Sequence, residues 1–180
     1  MRAMIEAADY GKALFELALE TGAAERVSRD LGLVTAALEE NPPYVTLLDT
    51  PAVSTEEKIS LVKEAFGQTE QILLNFLCIL CEKRQMHLLP ACAKSYEKQY
   101  DEARNILRAT AITAIPMNKR QQKDLIEKLQ KLTGKTVLLE NQTDESLIGG
   151  ITLRYGGVQL DDSIRHRLDG LHRSLSHTIV

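Results

Sequence analysis

The sequence predicts a mainly α protein, with a helical bundle over residues 1–105 and a small α/β module over residues 106–180. Two observations carry this. Up to about residue 105, apolar residues recur at three- and four-residue spacing and are punctuated by Gly, Asn-Pro-Pro and capping sequences. Beyond it, Arg108-Ala-Thr-Ala-Ile-Thr-Ala-Ile115 alternates and carries β-branched residues, which is strand patterning.

Each element has its own signals. Residues 8–21 form a first helix closed by Gly22, and residues 23–40 a second closed by Asn41-Pro42-Pro43. A short segment covers 44–48. Ser54-Thr-Glu-Glu57 is a capping box, in which Ser54 accepts from the third amide of the helix and Glu57 reaches back. It opens a helix to Phe66, stopped by Gly67. A further helix spans 69–83. The last of the bundle runs over 89–107, with Pro90 tolerated in its first turn. Short loops between these helices predict antiparallel neighbours.

In the second part, a strand over 108–115 ends at Pro116. A helix over 119–132 places Leu125, Ile126, Leu129 and Leu132 on one face, with Gly134 as its cap. Strands follow over 136–140, 147–155 and 158–160, the last two joined by Gly156-Gly157, a pair suited to the positive φ values of a tight hairpin. Asp161-Asp162-Ser163 caps a closing helix with the stripe Ile164, Leu168, Leu171 and Leu175.

Composition excludes several functions. Hydrophobic residues make up 44% and charged residues 26%, which argues against disorder. The net charge is −3, unlike a protein that binds nucleic acid through bulk electrostatics. Residues 1–100 hold 10 Lys/Arg against 15 Asp/Glu and residues 101–180 hold 12 against 10, which fits two modules with different partners. Aromatics are only 4%, with no Trp, so stacking platforms for bases are not expected. Three cysteines and no signal sequence predict reduced thiols in a cytosolic setting. The longest apolar run, 72–81, is too short to span a bilayer.

The candidate chemical motifs dissolve on inspection. Cys78-Ile-Leu-Cys81 has the spacing of a redox or zinc half-site, but it lies within a helix and has no second pair. These residues read as core cysteines. Gly134-Lys135-Thr136 resembles the end of a phosphate loop, yet Leu129 stands where the motif needs glycine, and the triplet leaves a helix to enter a strand. A nucleotide-binding protein built on this triplet is the rival reading. His166, His172 and His177 are spaced by six and five, not the three or four of helical metal ligands. Lys119, Arg120, Lys123, Lys128 and Lys131 form a basic helix surface, read as solvated, with an acidic partner as the alternative. No catalytic residue, cofactor site or metal site is expected.

The anomaly is excess apolar helix surface. Tyr10, Ala13, Leu14, Leu17 and Ala18 share one face of the first helix, and Phe15 and Leu19 widen the arc. Residues 72–81 are apolar almost all round. That helix is either the centre of the bundle or half core and half docking surface for an amphipathic helix. A free-standing helical adaptor in some other complex is a second rival.

Tyr10-Gly-Lys-Ala-Leu-Phe-Glu-Leu-Ala18 resembles the first helix of F-type ATP synthase delta subunits, the oligomycin-sensitivity-conferring protein family. Asn75-Phe-Leu-Cys-Ile-Leu-Cys-Glu-Lys-Arg84 with Leu88-Leu-Pro90 is similar to the fifth helix and the start of the sixth. Ile148-Gly-Gly-Ile-Thr-Leu-Arg154, Val158-Gln-Leu-Asp161 and Ser163-Ile-Arg-His-Arg-Leu168 are similar to the C-terminal signature. Gly156-Gly157 and Asp161-Asp162-Ser163 depart from the usual Gly-Asp and Asp-Gly-Ser, and Gly11 stands where alanine is common.

The resemblance implies a six-helix bundle on the catalytic head. The N-terminal helix of an alpha subunit would pack beside Tyr10, Ala13, Leu14, Leu17, Asn75, Phe76 and Ile79. It also implies that a C-terminal module carrying Gly149, Gly150, Ser163, Arg165 and Arg167 joins the C-terminal end of the b-subunit stalk. The role implied is a non-catalytic stator on the cytoplasmic face of a bacterial cell membrane, touching the membrane only through the complex and no nucleic acid.

Overall fold

The computed structural model describes residues 2–162, with side chains from residue 4 onward. The chain divides into two compact units, Met1–Glu102 and Ala103–Val180.

Among the described residues the first unit is built from α1 (Arg2–Glu20), α2 (Ala24–Glu40), α3 (Pro42–Asp49), α4 (Thr55–Phe66), α5 (Gln71–Glu82) and α6 (Leu89–Ala103). Helix α1 starts six residues earlier than the sequence predicts, because residues 2–7 contain no helix breaker and Ala7 is fully buried. The short segment over 44–48 is a full helix, α3, with its two prolines in the first turn, where no amide is needed. The capping box at Ser54 and Glu57 is present in both directions.

The core stripe of α2 is Ala24, Val27, Leu31, Val34 and Leu38, alternating three- and four-residue steps. Helix α2 packs against α5, and Leu73, Leu77 and Leu80 of α5 and Leu89, Cys92 and Tyr96 of α6 are all fully buried. Tyr96 donates its hydroxyl to the Ala24 carbonyl at 2.8 Å and packs edge-on to Phe15. Lys58 is buried too; its ammonium group donates to the Thr50 carbonyl at the end of α3. Such a charge is tolerated only when hydrogen-bonded.

Gly11 marks a close approach. A Cβ built there falls 2.4 Å from the Cys92 carbonyl oxygen and 2.6 Å from Ser95 Cβ, both on α6. The Ser95 hydroxyl donates across the same contact to the Ala8 carbonyl at 2.8 Å. Alanine is a better helix former by about 1 kcal/mol, but the obstructing atom is backbone. Gly11→Ala is therefore expected to lower the unfolding free energy by roughly 1–3 kcal/mol; urea denaturation measures it, and an unchanged midpoint would show that α1 and α6 can separate freely.

The second unit begins earlier than the pattern suggests. Helix α6 stops at Ala103, and Asn105 takes a left-handed φ of 51°. Strand β1 then covers Ile106–Thr113, in place of 108–115. Helix α7 (Lys119–Thr133) ends at Gly134 in the left-handed conformation, φ 68°. Strand β2 (Thr136–Thr143) extends three residues past the expected end. There Asn141 donates to the Ala111 carbonyl at 2.9 Å and accepts from the Met117 amide at 2.7 Å. Strands β3 (Ile151–Tyr155) and β4 (Val158–Asp161) complete a sheet of order β2-β1-β3-β4. β1 pairs parallel with β2 through the α7 crossover and antiparallel with β3. The core is Ala109, Ala111, Leu129, Val137 and Leu153, with Leu125 and Ile126 packed against it.

Three expectations are corrected. Leu132, assigned to the apolar face of α7, is 82% exposed. The third strand does not reach back to Leu147, which lies in a 3-10 turn (Glu145–Leu147). Gly149-Gly150 accordingly precedes the strand: Ile148 and Gly150 have φ of 64° and 82°, a bend that breaks any ladder. Gly156 and Gly157, at φ 52° and 81°, do make the hairpin turn. The closing helix with its stripe Ile164, Leu168, Leu171 and Leu175, together with Ser163, Arg165, Arg167 and the three C-terminal histidines, lies outside the described residues. Asp161 belongs to β4, paired with Thr152.

Candidate functional site

Helices α1 and α5 leave an apolar groove of about 250 Å³ between them. Tyr10, Ala13, Leu14 and Leu17 line it from α1; Ile72, Asn75, Phe76 and Ile79 line it from α5. All seven residues singled out from the sequence are brought together here. Ile72 was missed as a lining residue, although it stands three residues before Asn75 on the same helical face.

The groove exists because each helix divides its apolar surface. On α5, Leu73, Leu77 and Leu80 face the core, while Ile79 stays 44% exposed. On α1, Phe15 and Ala18 are buried, while Leu17 is 48% exposed. The two open readings of 72–81 thus resolve to half core and half surface. Leu14 and Phe76 are buried between the helices, and Tyr10 meets the Phe76 ring edge-on at 6.4 Å. Lys83 Nζ lies 5.6 Å from the Tyr10 ring centroid, a cation–π contact at one end of the groove. The arrangement offers shape, apolar surface and one flanking cation. It presents nothing arranged for bond making.

The other motifs take structural places. Cys81 and Cys92 are buried, whereas Cys78 is half-exposed. Burial raises the pKa of all three thiols, that of Cys92 to about 11. The thiolate is the reactive form, so an alkylating reagent at pH 8 is expected to modify Cys78 first. Cys81 and Cys92 should react only on unfolding, which mass spectrometry of the labelled native and denatured chains resolves. The sign for stability follows: the unfolded Cys92 ionises near 9.0 and the folded one near about 11, so stability should fall as pH rises across that interval.

At Gly134-Lys135-Thr136 the Lys135 amide donates to Thr133 Oγ1 at 3.3 Å and the Thr136 amide to the Asn105 carbonyl at 2.9 Å. Both amides are engaged by the chain itself, and no phosphate nest forms. The five basic residues of α7 are all exposed, with Lys123 paired to Glu127 at 3.9 Å. Among the described residues no group of three or more His, Cys, Asp or Glu is placed to hold a metal ion, and no helix is long and apolar enough to cross a membrane.

Comparison with known proteins identifies the family. The family model described as the ATP synthase delta (OSCP) subunit matches residues 7–175. The ATP synthase subunit delta of Geobacillus sp. is 34% identical over 176 residues, covering 97% of this chain and 99% of its own. That of Flavobacterium johnsoniae is 33% identical over 168 residues, covering 93% and 95%. Among solved structures, a chain of the Toxoplasma gondii mitochondrial ATP synthase hexamer superposes with a TM-score of 0.74 at 25% identity, covering 94% of this chain and 96% of that one. This chain belongs to the ATP synthase delta (OSCP) subunit family.

Proposed function

We propose that this chain is a non-catalytic stator component of a rotary F-type ATP synthase. It links the alpha/beta catalytic head to the b-subunit peripheral stalk, so that proton-driven rotation is coupled to ATP synthesis. The observation that carries the mechanical reading is the groove between α1 and α5, an exposed apolar surface between two helices, in a chain whose motifs among the described residues take structural places.

In this reading the N-terminal helix of an alpha subunit lies in the groove, its apolar face against Leu17, Phe76 and Ile79. Helix-in-groove binding of this kind draws on burial of the apolar stripe. The second unit, over 106–180, attaches to the C-terminal end of the b subunit. Two attachments on two separate compact units let one chain resist the torque that the central rotor exerts on the head. The chain binds no cofactor, and it sits on the cytoplasmic face of a bacterial membrane, held there through the complex.

The test is to tag the chain and purify it from detergent-solubilised membranes, then titrate the isolated chain with ATP. The expected result is recovery of alpha and b subunits in fixed stoichiometry, and no heat of nucleotide binding. Micromolar ATP binding that disappears in Lys135→Ala would overturn the stator reading and restore the nucleotide-binding one.

A further inference from the structure

A pocket of about 320 Å³ lies where α2 ends against α3, the 3-10 turn Met86–Leu88 and the start of α6. Its inner lining is apolar: Leu38 and Met86 are buried, and Val45 and Pro90 are half-buried. Its exposed rim carries Glu39, Pro42, Thr46 and His87. One carboxylate holds the turn against α3. Asp49 accepts from the Met86 amide at 2.8 Å, from the His87 amide at 3.1 Å and from His87 Nδ1 at 2.6 Å.

The polar side chains of this rim share one chemistry. The Thr46 hydroxyl donates its proton to the Pro42 carbonyl at 3.1 Å, which leaves its oxygen as an acceptor. A carboxylate only accepts, so His87 Nδ1 carries the proton in the Asp49 contact, and Nε2 of the neutral ring is an acceptor too. Glu39 is an acceptor outright, and among the described residues none pairs with its carboxylate. The backbone adds to this. The last carbonyls of α2 are the negative end of its dipole, yet its last turn has no basic residue and ends on Glu39 and Glu40. An apolar hollow rimmed by acceptors at a negative helix end suits a long side chain with an aliphatic stem and a cationic head that only donates.

We infer that this pocket receives an arginine side chain from a neighbouring protein chain. The methylene stem covers Leu38 and Met86, and the guanidinium meets the acceptors of Glu39, Thr46 and His87. Arginine suits the rim better than lysine, because its five donors lie in a flat fork that meets several acceptors at once and its head is more weakly hydrated. The occupant is a protein because this chain belongs to a family of ATP synthase subunits, whose surfaces meet other subunits. The inference is independent of the α1–α5 groove and of what fills it.

The experiment has two arms. In the first, methyl NMR of the full chain, with Val45 and Met86 as reporters, follows titration with acetyl-Leu-Arg-amide and with its citrulline analogue, which keeps the shape and loses the charge. The arginine probe is expected to shift both methyl signals with roughly millimolar affinity, and the citrulline probe to bind about five-fold more weakly. Glu39→Gln should remove that difference; Glu39 is exposed, and the thermal unfolding midpoint of the variant is the folding control. In the second arm, Glu40→benzoylphenylalanine, exposed beside the rim, is irradiated in the purified assembly. The cross-linked peptide should carry an arginine within a few residues of the attachment point, and changing that arginine to Gln should lower the yield several-fold. No shift with either probe would overturn the pocket as a side-chain site. Equal affinity for the two probes would overturn the choice of a cation. Selective binding of the arginine probe without a cross-link, or with a cross-link to a segment that lacks arginine, would overturn the protein source and leave the site to a free guanidinium compound.

Discussion

Truncation after Asn105 is expected to abolish proton-driven ATP synthesis while leaving a soluble, folded helical bundle that still binds the alpha subunit. The first compact unit ends at Glu102, and its core is drawn from α1 to α6. Helix α6 terminates at Ala103, and Asn105, at φ 51°, turns the chain out of the helix. A cut there removes the whole sheet and α7 but interrupts no hydrogen-bonded ladder of the bundle. The truncated chain should therefore keep its helical circular dichroism and a cooperative melt. In the proposed reading, loss of the second unit unties the head from the stalk and lets it turn with the rotor. Synthesis in vesicles should fall to background, and ATP hydrolysis should persist in the soluble fraction. Synthesis at the wild-type rate would show that the second unit is not the stalk connector. Gly150 is a poor site for a point test of the same idea. At φ 82° any side chain there strains the backbone, so a defect in Gly150→Asp would not separate lost binding from lost folding.

Ala13→Asp is expected to weaken binding of the alpha-subunit N-terminal peptide by about thirty-fold or more without unfolding the bundle. Ala13 lines the groove between Tyr10 and Leu17, and it is solvent-exposed in the free chain. A carboxylate there is hydrated until the partner helix arrives. On binding it must be desolvated against Leu17 and the partner's apolar face. Burying a charge without a partner costs about 2 kcal/mol or more, which is about thirty-fold in Kd. Neighbouring Leu14 shows the contrast: at 4% exposure it is core as well as groove wall, and a charge there would unfold the bundle. Calorimetry with the peptide, paired with urea denaturation, separates the two effects. Equal affinity in a folded Ala13→Asp variant would move the docking surface off this face.

Much of the local structure was legible because it is written in short-range chemistry. The capping box of Ser54 and Glu57 depends on residues three apart. Gly134 ends α7, and Gly156-Gly157 turns the hairpin, through the φ values only glycine adopts easily. The excess of apolar surface on 10–18 and 72–81 was visible from periodicity, but whether the bundle itself or a partner covers it was not.

Tertiary structure decided what depends on a distant neighbour. A 3.6-residue period does not tell which flank of an all-apolar helix faces the core. Only the packing of α4 and α2 against α5, which buries Leu73, Leu77 and Leu80, left Ile72, Asn75 and Ile79 facing outward with α1. The β-branched run beginning near Arg108 read as a strand, but its start at Ile106 is set by pairing with Thr136, thirty positions later. The Gly-Gly at 149–150 looked like strand sequence; the left-handed turn at Ile148 made it a bend. The composition of α1 alone does not explain Gly11, whose missing Cβ is required by a carbonyl oxygen on α6. Caps and turns are local bonds and can be read from neighbouring residues, whereas burial, register and close approach are properties of two segments at once and appear only when the chain brings them together.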